Sequence, residues 1–184
     1  MSEVNLKYAV SSYVGLGSRV IPPEYQSACR HVAYVAAMYH VILRTNTNAG
    51  TSAVFEDSCF RCQGTRQIYL PYEGFNKRRH GVSALTGEHY EVASRAHPNW
   101  SACNQYAKKI HANTVSMLLG DNLNDKAGVL LTYTEKGIAQ GSSGFAIHLA
   151  KGYDIPIINA GKHTPSEFIN LCTVLIRDGI YVEE

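Results

Sequence analysis

The chain lacks any apolar run near the roughly 18 residues that a membrane-spanning helix needs. Its first residues, Met1-Ser2-Glu3-Val4-Asn5, lack the basic start and apolar stretch of a secretory leader, so a cytoplasmic location is expected. No charge sign dominates: the formal net charge is +2, and no global field selects nucleic acid or an anionic membrane. Charged residues make up 17% of the chain and no low-complexity tract interrupts it, which excludes a disordered protein. Cysteines are few, scattered and odd in number, five in all, which argues against a disulfide-built secreted scaffold. Cys59-x-x-Cys62 has no second pair at zinc-ligand spacing, and it falls at a helix end rather than at a start, where a thiolate is stabilised. No metal site is expected.

What is present suffices for one core. With 184 residues and 45% hydrophobic content, the chain is long enough for a single domain spanning 1–184 and short for two. Short apolar runs alternate with amphipathic ones. Tyr13-Val14 reads as a strand running into Gly15-Leu16-Gly17-Ser18-Arg19, after which Pro22-Pro23-Glu24 opens a helix carrying Ala28, Val32, Val35, Ala36 and Tyr39 on one face. Strands are predicted at 41–43, 68–70, 128–133 and 155–158, and helices from Thr51 or Ser52 to 60, at 88–96, 101–119, 141–151 and 165–176. Gly120 and Gly152 are plausible helix stops, and the tail 179–184 is either an added strand or a loose end. This alternation predicts an α/β fold: one Rossmann-like domain with a mainly parallel sheet and helices on both faces.

In such sheets ligands bind beyond the carboxyl ends of the strands, where helix N-termini favour anions. Three segments leave predicted strands in that way. Gly15 to Arg19 offers Gly15 and Gly17 for close approach, the Ser18 hydroxyl, and an Arg19 guanidinium able to grip phosphate bidentately. The segment 46–52 carries Asn48, Gly50 and Thr51, and Gly141-Ser142-Ser143-Gly144 offers two glycines and two hydroxyls. The first segment has Val20 where a dinucleotide fingerprint has its third glycine, so no dinucleotide cofactor is expected.

The succession Gly15-Leu16-Gly17-Ser18-Arg19 with Pro22-Pro23-Glu24, then Ala49-Gly50 leading to Phe55-Glu56, resembles the SLOG superfamily, which takes in the DNA-processing protein DprA and the LOG nucleotide hydrolases. The resemblance continues through Ile68 to Asn76, His97 to Trp100, Leu119 to Leu123 and Gly141 to Gly144, and is strongest to small stand-alone DprA-like proteins of bacteria and their phages. It implies a Rossmann-like sheet, a nucleotide or nucleotide-derived ligand at the strand ends, and a homo-oligomer. Two departures stand out. Thr45-Asn46-Thr47-Asn48-Ala49 replaces the usual Ser-Gly-Gly-Ala, and the LOG glutamate is represented by Glu56, offset from its usual spacing after Gly50-Thr51.

Three functions follow. The first is binding of a nucleotide-derived molecule, as a sensor or sequestering protein. The second is LOG-like cleavage of the N-glycosidic bond of a nucleoside monophosphate, with Arg19 on the phosphate and Glu56 as the carboxylate beside the ribose. The third is DprA-like binding of single-stranded DNA, for which Lys77-Arg78-Arg79-His80 supplies cations. The long connection 72–87 reads as a lid whose Tyr72, Phe75 and Asn76 close over a ligand, and His97 and Trp100 flank a Pro-Asn turn where they can stack on a base. The other seven histidines show no shared spacing.

Overall fold

A computed structural model describes residues 5–182. Five strands form one parallel sheet in the order β4-β3-β2-β5-β6: β2 (Ser12–Gly17), β3 (Ile42–Thr45), β4 (Arg66–Ile68), β5 (Val129–Tyr133) and β6 (Ile157–Asn159). The expected single α/β domain of Rossmann-like arrangement is what the chain forms. A separate antiparallel pair joins β1 (Asn5–Tyr8) to β7 (Ile180–Val182), so the tail is an added strand as far as 182. Glu183 and Glu184 lie outside the described residues.

Central parallel strands are buried on both faces, which explains why all five residues of β5 are buried. Alternation along the strands then divides the core in two. Tyr13, Val129 and Leu131 point to the layer of α1 (Pro23–Met38), α2 (Thr51–Arg61) and α6 (Pro165–Asp178), where Val32, Phe55 and Phe168 meet them. Val14, Leu16 and Leu130 point to the layer of α3 (Gly87–Ala96), α4 (Gln105–Leu119) and α5 (Gly141–Gly152). Tyr39, expected on the buried face of α1, is its C-cap and is 48% exposed. Among the described residues no helix is long and apolar enough to cross a membrane.

All five cysteines are free thiols. Burial in the first layer pushes Cys29 up to about 12 and raises Cys172 further. The thiolate is the reactive form, so both should resist a disulfide reagent at pH 8 while half-buried Cys62 and Cys103 react. Counting thiols before and after denaturation checks this. Fast labelling of Cys29 in the native protein would contradict the packing.

Candidate functional site

The first glycine segment differs from its expected form. Strand β2 extends through Gly17, so Gly15, Leu16 and Gly17 are strand residues and the turn is made by Ser18 and Arg19. The glycines answer to packing. A Cβ on Gly15 would lie 2.8 Å from the Phe55 ring, and one on Gly17 would lie 2.4 Å from the carbonyl oxygen of Tyr133 on β5. Gly15 therefore faces α2, not a ligand.

The Ser18–Arg19 turn is fastened from three sides. The Ser18 amide donates to Tyr133 O (2.8 Å), and the Thr51 amide and hydroxyl both donate to Ser18 O (3.0 Å each). Gly50 sits beneath at φ +82°, where a Cβ would come within 2.3 Å of Ser18 O and 2.4 Å of Arg19 O. Gly50 and Thr51 thus shape the turn and are not among the residues facing the cavity beside it.

That cavity lies at the switch point of the sheet. The chain moves from β2 outward to β3 and β4, then crosses back to add β5 and β6 on the other side of β2. Connections diverge there and leave a crevice at the carboxyl ends of the strands. A cavity of about 320 Å³ occupies it. Gly17, Ser18, Arg19 and Asn48 form one side, Tyr106, Ile110 and His111 of α4 another, and Gln140, Ser142 and Ser143 the third. Gly141 to Gly144, read as a loop, is the first turn of α5, with Gly141 at φ +58°. Its earliest helical bond runs from the Gly144 amide to Gln140 O (2.9 Å), which leaves the preceding amides for an anion. Gly144 is needed for close entry, since a Cβ would lie 2.8 Å from the Ala139 carbonyl carbon. Arg19 is exposed and makes no hydrogen bond or ion pair with the described residues, so its guanidinium is available to the cavity.

A second cavity of about 700 Å³ adjoins the first across His111, Gln140 and Ser142, which face both. His97, Pro98, Gly141, Gly144, Phe145 and His148 complete much of its wall. The rings form a cluster: His111 lies 4.4 Å from Phe145 and 4.6 Å from His97, and Trp100 lies 6.2 Å from His97. Trp100 is half-buried and carries the Lys108 ammonium 5.5 Å over its ring. His111 is 7% exposed, and its Nδ1 is buried without a hydrogen-bond partner. Burial, with a smaller push from His97, holds it down at about 4, so the imidazole is neutral at pH 7.

Cys103 completes a constellation that the sequence did not disclose. One ligand atom each from His97, Cys103 and His111 lie within 4.8 Å of one another. Their separations along the chain match neither a helical turn nor a hairpin. The turn through Pro98 and the short 3-10 segment Trp100–Ala102 bring them together.

Other sequence candidates are placed elsewhere. The Glu56 carboxylate accepts from Arg78 Nη2 at 2.5 and 2.6 Å, in a recess shared with Arg66 and Gln67, and does not line the cavity beside Arg19. The expected pairing of Arg19 and Glu56 around one ligand is therefore not formed. The 72–87 connection is strapped to the body beside the carboxyl end of β3, and none of its residues lines the cavity beside Arg19. The Asn76 amide donates to Thr47 O and Oγ1 (3.0 and 2.9 Å), while the Leu70 amide donates to Val82 O and the Val82 amide to Ile68 O (2.7 Å each). The backbone has positive φ at Asn76 (+51°) and Lys77 (+60°). Phe75 is buried 5.3 Å from the Tyr72 ring and 6.4 Å from that of Tyr106, so these aromatics touch the cavity wall only from behind. The Lys109 ammonium lies 5.2 Å over Tyr72.

Fold and site together define an α/β protein of Rossmann-like arrangement with a polar cavity at its switch point. No family model, curated protein or solved structure matches the chain.

Proposed function

We propose that the protein binds a nucleotide or nucleotide-derived phosphate ester, with its phosphate in the switch-point cavity and its base in the adjoining aromatic one. One observation carries this reading: three segments remote in sequence, Ser18–Arg19, Asn48 and the first turn of α5, converge on a single cavity with an unengaged guanidinium. Free amides at a helix start, two hydroxyls and an arginine are the donors a phosphate requires. His97, His111 and Phe145 offer ring surface in the adjoining cavity, which shares His111 with the first. The resemblance to the SLOG superfamily supports the same ligand class, and its members' self-association makes a homo-oligomer part of the proposal. Of the functions open to that superfamily, binding fits best, because Glu56 is paired with Arg78 away from the cavity. That ion pair also takes up part of the basic cluster on which single-stranded DNA binding would depend.

A thermal-shift screen over mono-, di- and cyclic nucleotides tests the reading. At a hundredfold excess over its dissociation constant, the right ligand stabilises by about 2.7 kcal/mol, which raises the melting temperature by about 5–10 °C in a domain of this size. Arg19→Ala should weaken that ligand roughly tenfold or more, the worth of a charge-assisted contact. Chromatography of the incubated ligand should return it intact. A screen in which no nucleotide shifts the wild type would defeat the proposal, and release of free base would replace it with hydrolysis.

A further inference from the structure

We infer that His97, Cys103 and His111 form a binding site for a zinc-class divalent ion, with the fourth coordination position open to the aromatic cavity. The inference stands apart from nucleotide binding and needs no nucleotide for its test. Two imidazoles and a thiol are a borderline-soft donor set, the kind that selects zinc over magnesium or calcium. The geometry is nearly assembled. Cys103 Sγ lies 3.8 Å from both ring nitrogens of His97, and the His97 and His111 ring centres are 4.6 Å apart. Zinc bonds of about 2.0–2.3 Å in a tetrahedron place ligand atoms roughly 3.5 Å from each other. The present spread, within 4.8 Å, closes by small side-chain rotations of His97 and Cys103, both only half-buried.

A second observation points to a ligand. His111 Nδ1 is buried and has no hydrogen-bond partner, although buried polar atoms are nearly always paired. Tilted ring contacts with Phe145 and Trp100 account for where His111 sits, but they do not satisfy that nitrogen. The competing interactions are weak. The Asn99 amide donates to His97 Nδ1 at 3.2 Å, and the Cys103 thiol donates to Asn99 O at 3.6 Å. Capture of an ion through Nδ1 and the thiolate replaces both and releases the thiol proton to solvent.

His97 and His111 both line the larger cavity. Three protein ligands with a fourth place facing a cavity make an open centre rather than a closed structural one. Its fourth ligand is water or an electron-rich group of whatever occupies the cavity. The Cys59-x-x-Cys62 motif is no rival, because Cys59 is buried and its Sγ donates inward to Thr65 O at 3.6 Å.

The test titrates metal-stripped full-length protein with Co²⁺, then displaces it with Zn²⁺. One equivalent should bind with the visible bands of tetrahedral cobalt and a near-ultraviolet thiolate-to-cobalt band. Cys103→Ser should abolish that band, and Cys103→Ser and His97→Gln should each weaken binding roughly tenfold or more. The Cys59→Ala/Cys62→Ala protein should keep the band. As a readout independent of variants, one equivalent of Zn²⁺ should slow alkylation of Cys103 in the wild type by about tenfold, while leaving Cys62 unaffected. Absence of stoichiometric binding, persistence of the band in Cys103→Ser, its loss in Cys59→Ala/Cys62→Ala, or equal alkylation of Cys103 with and without Zn²⁺ would overturn the inference. The nucleotide reading survives any of these results.

Discussion

Gly50→Ala is expected to lower stability by about 3 kcal/mol or more, for two reasons that add. At φ +82° and ψ −129° the backbone occupies a region that side-chain-bearing residues avoid. The new methyl would also overlap two carbonyl oxygens, at 2.3 and 2.4 Å, and neither belongs to a flexible side chain that can swing away. Relief has to come from the Ser18–Arg19 turn, which is held by bonds from Thr51 and to Tyr133. Equilibrium unfolding in urea measures the loss. A loss below about 1 kcal/mol would mean that the two segments do not meet as described.

Phe55→Ala should be comparably severe, at about 3–5 kcal/mol, because the ring is fully buried and packs edge-on against Tyr13 at 5.8 Å. The more discriminating experiment pairs it with Gly15→Ala. Alone, Gly15→Ala drives a methyl to 2.8 Å from the Phe55 ring and destabilises by overpacking. In the double variant that methyl enters the space the ring has vacated, so the combined loss should fall short of the sum by about 1 kcal/mol or more. Strict additivity would show that Gly15 does not pack on Phe55. Strand burial, not ligand approach, would then lack its physical reason at this position.

The two glycines show where local reading of a sequence stops. Tyr13-Val14 reads as a strand, yet glycine favours turns, and nothing nearby shows that the strand runs on through Gly17. The deciding atoms belong to Phe55 and to the β5 backbone, 40 and more positions away. Apolar runs carried their own answer at β3, β5 and β6, while the strand expected at 68–70 lies two residues earlier, at Arg66–Ile68. The β1–β7 pair was only half legible, since Asn5–Tyr8 finds its partner at the far end of the chain. In the site, Ser18, Arg19, Asn48, Ser142 and Ser143 were readable because strand-end chemistry is local. Glu56 lies in the second turn of α2, and its ion pair with Arg78 is set by how a long connection folds back. The meeting of His97, Cys103 and His111 likewise depends on the direction of one turn, which spacing does not encode.

The wall shared by the two cavities has a thermodynamic consequence. His111, Gln140 and Ser142 each face both spaces, and His111 is otherwise enclosed by protein. A phosphate in the first space that shifted these side chains would alter the wall met by a base in the second. Linkage then requires the effect to be equal in both directions: an occupant of the first space that tightens the second tenfold must itself be held tenfold tighter when the second is filled. On the proposed reading a single nucleotide fills both chambers, and the shared imidazole then makes its phosphate and base contacts interdependent rather than additive.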